Sequence, residues 1–226
     1  VASHGYPTLL TTTTQIMKPD VRSDESYIEN EYLGQLANIF TNLKKNTLPL
    51  AALGIPEKVV NSNIKWRSPS SDFCEKIAEF SKKFSTKNPY KFLKILCEGD
   101  GSKRLPIKLP KDGEPVFFPK TDTVIGVIGL TCLVKPIKET LFRYELLPNL
   151  TSLDNYFIKS LQSADIVTTD FLYRLCLSEK GLRKNITSQK FCIIFNQADI
   201  LDEKALAEVI TLRNQLQTKG ICPHII

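Results

Sequence analysis

The stretch that most restricts the fold is "TVIGVIGLTCLV", Thr123 to Val134. It is β-branched and aliphatic, it is broken by glycines, and it falls well short of the roughly 20 residues that a membrane span takes. It reads as a buried strand and its exit. A second apolar run, "FCIIF" from Phe191 to Phe195, is followed by an amphipathic pattern over Asp202 to Lys219 that stops at Gly220. Strand, acidic loop and helix in succession build parallel sheets covered by helices. The expected class is therefore α/β, with a mostly parallel sheet flanked by helices, and a chain of 226 residues suits a single domain over 1–226.

Other elements follow from the same patterns. "PTLLTTTT", Pro7 to Thr14, reads as a strand with a hydroxyl-rich end, and "FLKILCE" as another strand. Between them the character changes. Ile28, Tyr32, Leu36, Ile39 and Leu43 recur at helical spacing, as do Phe73, Ile77, Phe80 and Phe84 after the serines around Ser70. Residues 18–91 are thus expected to be a variable, largely helical insertion, with two amphipathic helices around a proline-punctuated middle. Further helices are expected near Leu153 to Gln162 and over Asp170 to Leu177, the latter capped by Thr169 and stopped near Gly181.

Composition removes several function classes. With His4 and His224 as the only histidines, a His-rich zinc site or a His-dependent triad has little material. The six cysteines form no C-x-x-C pair, and Cys97 and Cys192 fall in strands expected to be buried, as reduced core thiols. The net charge of +6 comes from lysines spread along the chain, which argues against a nucleic-acid surface. Without a secretory pattern or a span, a cytoplasmic protein with no membrane partner is expected.

The chemistry-bearing stretch is "LCEGDGSKRLP", Leu96 to Pro106. Gly99, Gly101, Ser102 and Lys103 miss the Walker A spacing, and Pro106 and Pro110 stand where the following helix would run. The stretch reads either as a Walker B edge or as an ordinary Gly-Asp-Gly turn. In the first reading Glu98 and Asp100, at the carboxyl end of a strand, organise Mg2+ while the glycines admit a ligand. "LPIKLPKDGEPVFFP" then forms a stiffened loop over the place where α/β folds bind ligands, which makes Lys103, Arg104, Lys108 and Glu114 candidates. "NQAD", Asn196 to Asp199, is close to the N-K-x-D pattern that reads guanine. There the Asp accepts from the base edge and the Asn braces the loop. It reads equally as an Asn/Asp turn capping the next helix.

In order, "LLTTTTQI", "CEGDGSKRLPIKLPKDGEPVFFPKTDTVIGVIGL" and "FNQAD" resemble the YqeC family of selenium-dependent hydroxylase accessory proteins. The resemblance covers Val1 to about Lys18 and Phe92 to Gly220. The family's acidic-glycine-serine, leucine-proline-lysine and glutamate-proline steps fall on Glu98, Asp100, Gly101, Ser102, Leu105, Pro106, Lys108, Glu114 and Pro115, and Gly99 stands for the usual alanine. A His-Arg-Pro-Glu stretch of the family corresponds to Phe142, Arg143, Tyr144 and Glu145, so its histidine has no counterpart.

The resemblance implies a P-loop NTPase-like fold whose first strand, glycine-rich loop and helix, roughly 30 residues, do not occur in this chain. A fragment, a mis-called start and a P-loop-less relative all fit. The resemblance further implies a nucleotide-binding maturation factor. Thr11, Thr12, Thr13 and Thr14 would line the phosphate side, Lys103 and Lys108 would meet anionic groups, and Asn196 with Asp199 would contact the base. Ser102, Arg104, Glu114, Arg143 and Glu145 are further candidates. Mg2+ with GTP or ATP is expected in a complete protein, with no tight binding to this chain alone. The implied partners are a molybdenum- and selenium-dependent hydroxylase or its maturation proteins. A non-catalytic module docking on these is the alternative, and exposed sheet edges would favour oligomers.

Overall fold

The computed structural model describes residues 6–19, 26–41, 50–87, 93–150 and 165–226. The helix expected near Leu153 to Gln162 lies outside them, as does His4. The chain divides into two compact units, Val1–Gly101 with Val116–Lys120, and Ser102–Pro115 with Thr121–Ile226. Both are α/β with mostly parallel sheets flanked by helices.

The first unit runs β1 (Thr8–Thr12), β2 (Ile16–Met17), β3 (Ser26–Ile28), α1 (Leu33–Thr41), β4 (Leu50–Leu53), β5 (Ile55–Val60), β6 (Asn63–Arg67), α2 (Ser71–Lys87) and β7 (Lys94–Glu98). Its main sheet is all parallel in the order β3-β4-β1-β7. Leu9, Ala51 and Leu53 from the strands bury against Leu36 and Phe40 of α1 and Phe73, Ile77 and Phe84 of α2. The α2 residues lie four and seven apart, so they form one stripe. Ser70 caps α2 by accepting from Phe73 N at 3.3 Å, and Glu31 in turn accepts from Ser70 N and Oγ at 2.6 and 2.7 Å.

Among the described residues before α1 and between α1 and α2 the chain is strand, where the spacing suggested a largely helical insertion. Ile28 belongs to β3, and β5 and β6 pair as a hairpin through Asn61 and Ser62, both at positive φ. Two left-handed residues joining two strands make the primed turn that matches strand twist. Trp66 on β6 is fully buried, and a Cβ on Gly54 would lie 2.2 Å from its ring, so only glycine admits the indole there.

The second unit runs β8 (Ile107–Lys108), β9 (Thr123–Gly129), α3 (Ile137–Thr140), β10 (Leu141–Phe142), α4 (Thr169–Leu177), β11 (Lys190–Asn196), α5 (Glu203–Thr218) and β12 (Cys222–Ile225). The parallel sheet has the order β12-β11-β9, and β8 pairs in parallel with β10. Ile128, Ile193 and Phe195 bury against Phe171, Leu172, Leu175 and Cys176 of α4 and Val209, Leu212 and Leu216 of α5. Both helices join the core on that one face. On the other, Ile125 and Val127 are 51% and 55% exposed, so β9 is half-buried rather than enclosed on both sides.

Some boundaries move by a residue. Thr168, not Thr169, caps α4, accepting from Phe171 N at 3.1 Å. The helix ends at Leu177 as expected, with Ser178 as its C-cap, and Gly181 is needed further on, where a Cβ would meet Leu175 O at 2.6 Å. Cys74, Cys132 and Cys176 are core thiols, with burial pushing Cys132 up to about 12, whereas Cys97 and Cys192 are only half-buried. No helix among the described residues is long and apolar enough to cross a membrane.

Candidate functional site

In the first unit β1 and β7 lie side by side, with Thr12 opposite Glu98 at their carboxyl ends. The chain leaving β1 reaches β3 and β4 on one side, while β7 adds on the other, so the order reverses between β1 and β7. Such a switch point is where open parallel sheets leave a crevice for ligands. The threonine run and the acidic turn both fall there. Thr13 N and Thr12 Oγ1 donate to Glu98 O at 3.0 and 3.1 Å, and Thr14 N donates to Thr12 Oγ1 at 2.9 Å. Thr13 Oγ1 also donates to Val116 O. A Cβ on Gly99 would stand 3.2 Å from Val116 O, so a side chain there would need that carbonyl to give by a few tenths of an ångström.

The hydroxyls of Thr12 and Thr13 therefore brace the two strand ends. Thr11 Oγ1 is different: it is buried with no hydrogen-bond partner among the described residues. An unpaired buried hydroxyl costs about 1–3 kcal/mol. Glu98 is exposed and Asp100 half-buried, and no third His, Cys, Asp or Glu among the described residues completes a three-donor cluster with them. That donor set suits Mg2+, which takes one or two carboxylates and fills its shell with water and phosphate oxygens.

In the second unit Ser102 to Leu105 form a tight turn, in which Leu105 N donates to Ser102 O at 3.0 Å and Ser102 Oγ to Leu105 O at 2.7 Å. Its central residues, Lys103 and Arg104, are both left-handed (φ 52° and 67°) and exposed. Positive φ without glycine is strained, and such strain concentrates at functional sites. Lys103 Nζ lies 5.0 Å from the centre of the Phe142 ring, with Lys108 Nζ at 5.5 Å and the Arg143 guanidinium at 4.8 Å. The Phe142 ring thus gathers three cations.

Glu114 is the acid among them. Both terminal guanidinium nitrogens of Arg143 donate to its two oxygens, and Lys108 Nζ sits 2.9 Å from Oε2. The Arg143 guanidinium, and with it Lys108, holds this carboxyl down to about 2 although burial pushes the other way. Asn185 Nδ2 donates to the carbonyls of Glu114 and Pro115 at 3.3 and 3.2 Å, which pins the loop. Lys108, Glu114 and Arg143 are brought together as one ion-paired group. Glu145 is exposed in the 3-10 turn Tyr144–Leu150.

β11 ends at Asn196, whose Oδ1 accepts from Gln197 N at 2.9 Å. Gln197 is left-handed, and its Oε1 accepts from Thr131 Oγ1 at 3.3 Å. Asp199 is exposed. The cap of α5 is Asp202, which accepts from Ala205 N at 2.7 Å, so "NQAD" is not that helix's cap. Residue patterning missed one group on the same sheet, Cys192 and Cys222 with His224. The short pattern Cys-Pro-His could have shown it, had the closing residues been read as a strand.

A family model described as YqeC protein matches residues 1–145, well over half of the sequence. The chain belongs to the YqeC family. The match spans residues 1–145 and stops at Glu145, short of the Gly220 to which the resemblance was drawn. The switch-point residues and the Glu114 group therefore lie within the YqeC match, and Asn196 to Asp199 lie beyond it. Comparison with curated proteins and with solved structures returned no match.

Proposed function

We propose that this YqeC-family chain is an accessory protein in the maturation of a selenium-dependent molybdenum hydroxylase, related to nucleotide-binding P-loop proteins. The observation that carries the reading is the convergence, at the β1/β7 switch point, of the threonine turn and the Glu98-Gly99-Asp100 step within the family match. When bound, Mg2+ would supply charge neutralisation for a phosphate chain. Glu98 and Asp100 would hold it, and the Thr11 hydroxyl, which lacks a partner among the described residues, would turn to an anionic oxygen. Within the second unit, Lys103 and Arg104 offer charge to an anionic group. Asn196 and Asp199 offer a guanine-reading edge, a reading that gains from Asp202 being the helix cap.

The test is made in cells. Deleting the gene should leave the hydroxylase present as polypeptide but poor in molybdenum and selenium and inactive. Restoring the gene as Glu98→Gln with Asp100→Asn should not recover the metal content, whereas Glu145→Gln should. A fully loaded hydroxylase in the deletion strain would end the proposal. Full rescue by the doubly substituted gene would remove the switch-point carboxylates from it.

A further inference from the structure

The sheet of the second unit carries a group that the proposed function does not use. Cys192 on β11 and Cys222 on β12 are direct partners in the parallel ladder, and His224 follows two residues later, opposite Ile194. Ladder partners, and residues two apart on a strand, share a face. The consequence is visible in the side chains. One ligand atom from each of the three lies within 4.8 Å of the other two, and Cys222 Sγ stands 3.5 Å from His224 Nε2. Cys222 and His224 are exposed and Cys192 is half-buried, so the group opens to solvent on the face where Ile125 and Val127 are also exposed.

The spacing can be compared with what a metal needs. Tetrahedral zinc with bonds of about 2.3 Å to sulfur and about 2.0–2.1 Å to nitrogen requires a sulfur–nitrogen edge of about 3.5 Å and a sulfur–sulfur edge of about 3.8 Å. The Cys222 Sγ–His224 Nε2 separation already has that value, and the separations from Cys192 fall within the 4.8 Å envelope. Two thiolates cancel the charge of a divalent ion, so the complex forms without a net charge beside Ile125 and Ile194, and thiolate-imidazole donors select zinc over hard cations.

We infer that Cys192, Cys222 and His224 form a zinc site with three protein ligands and a fourth, exchangeable position facing away from the sheet. Binding displaces the thiol protons to solvent and involves no change of oxidation state. The site shares no residue with the nucleotide reading, whose Asn196 and Asp199 lie past it at the carboxyl end of β11, so a failure to bind metal leaves that reading untouched.

The experiment uses the purified chain, stripped with a chelator and kept reduced, titrated first with Co2+ and then with Zn2+. Thiolate-to-cobalt charge transfer and tetrahedral ligand-field bands should saturate at one cobalt per chain and vanish as zinc replaces it. A small added thiol should shift the bands through the fourth position. Cys222→Ser should weaken zinc binding by about a hundredfold or more and His224→Gln by at least about tenfold, as losing one of a few ligands demands. Both residues are exposed, so the melts should stay at the parent's value in chelator. Cys97→Ser, in the first unit, should bind as the parent does. Absence of the cobalt bands in reduced protein, their survival in Cys222→Ser, or their loss in Cys97→Ser would each overturn the site.

Discussion

Glu114 shows how one side chain holds a loop that carries four prolines. Its carboxylate takes a two-pronged contact from Arg143 and a third from Lys108, while Asn185 grips the backbone on either side of it. Neutralising it leaves two cations facing each other with their acceptor weakened. Glu114→Gln should cost about 1.5–3 kcal/mol near neutrality, the range for hydrogen bonds to charged groups. The sign of the pH dependence follows from the depressed carboxyl. Folded Glu114 titrates at about 2 against an ordinary 4.5, so the unfolded chain takes up the proton first as pH falls. The stabilisation is complete above about 4.5 and is lost as pH falls towards 2. Urea melts of parent and variant between pH 6 and about 2.5 should therefore converge at the acid end. A difference that stays constant across that window would show that the charge is not what holds the loop.

At the level of elements, "NQAD" and the helix after it separate cleanly. Asp202→Ala should cost about 1 kcal/mol through loss of the α5 cap, while Asp199→Ala should leave the unfolding free energy within about 0.5 kcal/mol of the parent's. Chemical denaturation of the two variants checks this, and a larger cost at Asp199 would return the turn to a capping role. β9, β11 and α5 were legible in the sequence because apolar runs and the 3.6 period survive without knowledge of partners. β5, β6 and β12 were not. The hairpin turns on Asn61-Ser62, which lacks the glycine of the strongest turn signals, and β12 is four residues long with Pro223 inside it, tolerable where a sheet has an edge. Of the candidate residues, some were legible as neighbours and some were not. Glu98 and Asp100 advertise themselves by adjacency, whereas Arg143 reaches Glu114 across 29 positions of sequence and only the β8–β10 pairing brings them close.

For the whole molecule, the division into two units is not a division of the sequence. Val116–Lys120 belongs with the first unit although its neighbours on both sides belong to the second. Phe118 in that segment is buried in the first unit's core, beside residues drawn from before position 94. Phe118→Ala should cost about 3–5 kcal/mol, as a truncated core aromatic does. Hydrogen exchange should show the loss as weakened protection of β1 and α2, and unchanged protection there would place Phe118 outside that core. The chain behaves like a thread that makes one return stitch. A gene cut after Gly101 would strand the first unit without its stitch and leave the second carrying a loose loop. Inheritance by shuffling of either half alone is thereby penalised, and the two units are bound to evolve as a single reading frame.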